Sequence, residues 1–221
     1  MTDRNYLADT IAHGLEVRYI NPQVEIRENT TDGTIEFRGY ATVYNEWYDV
    51  AGGPDLGGWR EQIVAGSGAR TLNARPDVRL LINHEGLALA RTSRGSTVGT
   101  LNLAEDARGL LCFAPALDLR NPKVQEVRST MERGDVDAMS YAFRATRQEW
   151  NADYTERRIL EYALDVEGSD VSIVTYPANR ATIATIRSAA KIDELRTAHP
   201  TTSSLTLDMA FAMRDQIRRR A

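Results

Sequence analysis

Asp137-Ala138-Met139-Ser140-Tyr141-Ala142-Phe143 opens a long alternating run that continues to about Trp150. A period of two is the signature of a strand, in which successive side chains point to opposite faces. Met139, Tyr141 and Phe143 then share one face, and Ser140, Ala142 and Arg144 share the other. The bulky face predicts packing into a core. The small residues beside Ser140 leave room on its own face for a second molecule.

The flanking segments extend the pattern in both directions. Asn151-Ala152-Asp153 predicts a turn, and a returning strand is expected from about Glu156 to Val166. A further strand is expected from Asp170 to Tyr176, stopped by Pro177, which has no N–H for a ladder. Before the alternating run, Asn121 suits a helix N-cap and Pro122 the first helical position. Val124, Val127 and Met131 make an apolar stripe, and Gly134 suits the helix end. Earlier still, strands are expected at about Thr34–Tyr44, Val78–Asn83, Thr97–Leu103 and Gly109–Leu117, with a short helix near Ser67–Ala74. Some seven antiparallel-type strands around one central helix predict a strand-rich α+β domain. Its expected form is a closed or partly closed β-barrel with surrounding helices.

The ends differ in character. Residues 1–33 read as an N-terminal extension, with Tyr6, Leu7, Thr10, Ile11 and Leu15 at helical spacing. Residues 34–187 form the domain, and residues 188–221 a helical tail. In that tail Leu205, Met209, Met213 and Ile217 recur every four residues ahead of Arg218-Arg219-Arg220. The plain reading of the stripe is a helix that packs on its own domain; beside the basic end it also suggests a segment that docks the domain on a partner protein.

Composition excludes several functions. The 221 residues are 42% hydrophobic and 26% charged, which is ordinary globular usage and enough for one core. A net charge of -4 gives no electrostatic support for nucleic-acid binding. One cysteine, Cys112, excludes an intrachain disulfide framework, and its apolar setting predicts a packing role. No stretch is apolar for the length of a membrane-spanning helix, and Met1–Ile20 lacks the apolar run of a signal peptide. The expectation is a soluble protein made where it works, with no nucleic-acid or membrane partner. Gly52-Gly53-Pro54-Asp55-Leu56-Gly57-Gly58 lacks the following lysine of a phosphate loop, so it reads as a surface connection.

Few residues can carry chemistry. Of three histidines, His13 and His199 fall in the extensions, and His84 alone falls at the end of a core strand. The plainer reading of His84 is an ordinary partly buried histidine with one hydrogen bond. One core histidine and one cysteine do not supply a zinc ligand set, so no metal or other cofactor is expected. Ser140 and Ser172 are rival nucleophiles by strand position, and spacing does not separate them. Each also has a plain reading as a strand serine with a satisfied hydroxyl.

Five segments taken together resemble the tailed-phage prohead protease family, whose fold is related to the herpesvirus assembly protease. They are Phe37-Arg38-Gly39-Tyr40-Ala41, Val78-Arg79-Leu80-Leu81-Ile82-Asn83-His84-Glu85, Glu105-Asp106-Ala107-Arg108-Gly109-Leu110, Met139-Ser140-Tyr141-Ala142-Phe143, and Asp170-Val171-Ser172-Ile173-Val174-Thr175-Tyr176-Pro177-Ala178-Asn179. The resemblance spans roughly residues 34–187. The chain departs from the pattern in Glu85-Gly86-Leu87-Ala88-Leu89-Ala90-Arg91, where the family carries an acidic residue and then a proline-glycine pair.

The resemblance implies a serine endopeptidase with Ser140 as nucleophile, His84 as general base and Asp170 as the orienting acid, leaving Ser172 structural. Glu167, Asp165 and Glu85 are the next acids in line. Ala178, Asn179 and Arg180 are oxyanion-hole candidates, since they follow the closing strand. The implied substrates are the major capsid and scaffold proteins, with self-cleavage, inside an assembling procapsid in the host cytoplasm. The resemblance also admits a homo-oligomer. Two other readings stand beside it, a catalytically silent assembly factor with the same fold and a plain β-barrel binding module.

Overall fold

The alternating run folds as expected, into one thirteen-residue strand, Ala138–Trp150. The structure is a computed structural model that describes residues 15–20, 24–29, 33–93, 99–175 and 197. In chain order the strands are β1 (Glu16–Ile20), β2 (Glu25–Asn29), β3 (Thr34–Val43), β4 (Trp47–Val50), β5 (Trp59–Ile63), β6 (Arg79–Ile82) and β7 (Glu85–Arg91). They continue with β8 (Asn102–Glu105), β9 (Gly109–Asp118), β10 (Ala138–Trp150), β11 (Glu156–Ala163) and β12 (Asp170–Val174). Helix α1 (Ala69–Asn73) lies between β5 and β6, and α2 (Pro122–Glu132) between β9 and β10.

The strands form two sheets. The larger runs β4-β5-β11-β10-β12-β6-β7, with β1 also paired to β10, and the smaller runs β2-β3-β9-β8. Among the described residues neither sheet is closed by hydrogen bonding into a barrel. Nor is the pairing antiparallel throughout, since β11 lies parallel to β5 and β12 parallel to β6. Strand direction is invisible to local alternation. It is set by the long connections that bring distant strands side by side. The segment before residue 34 is tied into both sheets, through β1 on β10 and β2 on β3. The tail stripe and the helical spacing of Tyr6 to Ile11 lie outside the described residues.

One core joins the sheets. On β3, Ile35, Phe37 and Ala41 face inward while Arg38 faces solvent, as a period of two requires. Gly39 lets β3 approach β10 closely: a Cβ there would stand 2.6 Å from Met139 Sδ and 2.9 Å from Val24 Cγ1, so these side chains would have to shift. Residues 138–143 of β10 are all buried, and exposure begins at Arg144, where the sequence turns polar. Tyr141 stacks on Phe143 at 4.4 Å between centroids, and Tyr162 meets both edge-on. Cys112 is buried in this core, and burial pushes its thiol well above the ordinary range.

Helix α2 carries its expected signals. Asn121 Oδ1 accepts from the Lys123 N–H at 3.0 Å. At the other end Gly134, at φ 76, lets its own N–H reach Met131 O while the Asp135 N–H reaches Thr130 O. These are the two bonds of a Schellman motif. Among the described residues no helix is long and apolar enough to cross a membrane.

A buried ion cluster binds four strands of the larger sheet. Glu61 on β5 accepts from Arg18 Nε on β1 at 2.5 Å and from Arg157 Nη1 on β11 at 2.8 Å. Tyr48 on β4 donates to Glu61 Oε1 at 2.6 Å, and Glu16 on β1 bridges both arginines. Burial opposes the charged form of Glu61, yet Arg18 and Arg157 outweigh it and hold the carboxyl down at about 2.

Glu61→Gln leaves two buried guanidiniums with Glu16 as their one shared counter-charge. It is expected to destabilise the fold by about 3–5 kcal/mol in urea unfolding. The wild type should also be acid-sensitive through this group. Its contribution is complete above the ordinary carboxyl value of 4.5 and is lost as pH falls toward about 2. Thermal midpoints measured across that window should fall more steeply for wild type than for Glu61→Gln.

Candidate active site

The site starts from the register of β10 on β12. Ser140 lies opposite Ser172, and Ala142 opposite Asp170. Directly opposed residues of an antiparallel pair share a face. Ser140, Ser172 and Asp170 therefore stand on the same side of the sheet. On its other edge β12 pairs with β6, with Ser172 beside Leu81 and Ile173 beside Ile82. The chain leaving β6 thus emerges over this same region.

It reverses there in two residues. Ile82 pairs with Glu85, so Asn83 and His84 alone form the turn, at φ 52 and φ 61. Two left-handed residues in a two-residue hairpin are the requirement of a type I′ turn. Asn and His are among the non-glycine residues that enter this conformation most often, yet it still carries strain of order 1–3 kcal/mol. Bonds to β12 and the residue after it hold the turn. The Asn83 N–H donates to Ile173 O at 2.9 Å, and Asn83 Oδ1 accepts from the Thr175 N–H at 3.0 Å. The His84 N–H donates to Ser172 Oγ at 3.1 Å. The sequence places His84 at a strand end but hides this turn, because Asn83-His84 lacks the usual glycine and Glu85-Gly86 does not read as a strand start.

The turn lays the imidazole between two partners. His84 Nε2 is 2.7 Å from Ser140 Oγ, and His84 Nδ1 is 2.8 Å from Asp170 Oδ1. The three residues lie far apart in sequence and are all buried, Ser140 completely so at 0% exposure. A carboxylate only accepts, so Nδ1 carries the proton and Nε2 is free to accept from the Ser140 hydroxyl. Ser172 takes a different place. Its hydroxyl donates to Asp170 Oδ1 at 2.7 Å while accepting from the His84 backbone. It braces the carboxylate and the turn at once. Of the two serines, Ser140 lies on the imidazole and Ser172 behind it. Ala138 and Ala142, the small residues flanking Ser140, are buried along with it. His13, His199, Ala178, Asn179 and Arg180 lie outside the described residues.

A hydroxyl, an imidazole and a carboxylate bonded in series have the geometry of a serine hydrolase. Residues 22–197 match the family model described as caudovirus prohead serine protease, and the chain belongs to that family. No curated protein and no solved structure matches the chain.

Ser172→Ala removes one hydrogen bond to a charged group and one to the turn. It should keep cleavage activity, lowered about tenfold to a hundredfold, chiefly in kcat. Steady-state kinetics on a capsid-protein substrate checks this, and complete loss would return Ser172 to the role of nucleophile.

Proposed function

We propose that the protein is a serine endopeptidase that cuts scaffold and major capsid proteins, and itself, inside the immature procapsid in the host cell. The observation that carries this reading is the hydrogen-bonded series Ser140–His84–Asp170 in a chain of the prohead protease family.

The chemistry follows from the atoms in place. A serine hydroxyl is a weak nucleophile and needs an adjacent base. His84 Nε2 takes the Ser140 proton as the oxygen attacks the scissile carbonyl, then returns it to the leaving amine. Asp170 receives the Nδ1–H bond, holds the productive tautomer and stabilises the imidazolium, without itself taking the proton. Ser172 keeps the carboxylate aimed. The developing oxyanion needs donors worth about 2.7–4 kcal/mol each. Ala178, Asn179 and Arg180 stay the proposed source, on sequence position alone. Because Ser140 is fully buried, attack requires that part of its cover move aside. The barrel form of the family fold is likewise proposed, as the two sheets already share one core.

Ser140→Ala and His84→Ala should each abolish cleavage of co-expressed capsid protein and remove self-cleavage fragments from the purified enzyme. Asp170→Asn should fold normally and cleave slowly. Its loss should be smaller than the roughly 10⁴-fold seen when a triad acid becomes its amide elsewhere. Gel analysis of the co-expressed proteins with time reads all three. Full cleavage by Ser140→Ala would discard the proposed mechanism.

A further inference from the structure

Beyond His84 the chain does not return as a regular strand. Glu85 pairs with Ile82 and Ala90 with Leu80, so β7 spends extra residues against a short stretch of β6. The surplus bulges out as Gly86-Leu87-Ala88-Leu89, with Gly86 at φ 81 supplying the left-handed step. Leu89 packs against the core, whereas Leu87 is 94% exposed.

A lone exposed leucine ordinarily means nothing. This one stands three residues after His84, and three residues span at most about 11 Å. Ser140 Oγ is 2.7 Å from the His84 ring. An extended peptide advances about 3.3 Å per residue. A side chain a few residues from a bond held at Ser140 therefore comes within reach of Leu87. In the sheet order of the described residues β7 is also the outermost strand, an edge along which an extended chain can add.

We propose that the Gly86–Leu89 bulge is one wall of the substrate groove, and that Leu87 selects an apolar side chain near the scissile bond. This rests on the endopeptidase reading above. The occupant is an extended peptide with an apolar residue at a fixed position. Covering Leu87 removes apolar surface from water, and a polar side chain there gains nothing comparable.

The test separates the groove from the chemistry. A small fluorophosphonate reports an activated serine without needing a peptide, and a library of randomised decapeptides reports the preference. Wild type, Leu87→Ser and Leu87→Met should all be labelled. Wild type should cut at a constant distance from an apolar residue. Leu87→Ser should flatten that preference and lower kcat/KM on the preferred peptides about tenfold, mainly through KM, and Leu87→Met should retain both. A labelled Leu87→Ser enzyme with unchanged preference, or a wild type without an apolar preference, overturns this inference alone. A wild type that neither labels nor cuts overturns the endopeptidase reading and this inference with it.

Discussion

The antiparallel register between β10 and β12 is the constraint on which the site depends. It sets Ser140 against Ser172 and Ala142 against Asp170, so the hydroxyls and the carboxylate share one face. A slip of one residue would send them to the opposite face, because side chains alternate strictly along a strand. The parallel pairing of β6 on the far edge of β12 then places the Asn83-His84 turn over that face. Nothing in the geometry of the three residues is local to any one of them.

Two features tie β10 and its other neighbours together around this pairing. One is the aromatic packing of Tyr141, Phe143 and Tyr162, which fills the space behind the strand. The other is the charge cluster around Glu61, where Arg18, Arg157, Glu16 and Tyr48 converge from β1, β11 and β4. Removing such charges from water costs several kcal/mol per ion, and the cost is offset only when every partner is present. A misplaced β1 or β11 would strand a buried charge. The cluster also anchors β1, which borders the Ser140 strand directly, with Tyr19 opposite Ser140.

The His84 turn shows how strain is accommodated. A histidine at φ 61 is unfavourable by itself, yet the backbone bond to Ser172 and the Asn83 bonds to Ile173 and Thr175 over-determine the turn. Strained backbone of this kind persists where surrounding bonds leave no alternative. The same bond to Ser172 links the turn to Asp170. The ring's orientation and the carboxylate's position are thus fixed together.

By itself the sequence determined the strand-rich character, the extent of β10, the capped helix α2 and the standing of His84, Ser140 and Asp170 as the residues to watch. These depend on local period, on cap and terminator chemistry, and on motif order, all of which short stretches of chain express. It did not reveal β1, β2, β4, β5 or β7, which are short or broken by polar and glycine residues, nor the parallel pairings. Those depend on which distant strand lies alongside, and no local pattern encodes that. Tertiary structure alone showed that Ser140, not Ser172, stands against the imidazole. Both alternate identically along their strands, and only the position of the His84 imidazole, set by a turn 56 residues from one serine and 88 from the other, distinguishes them.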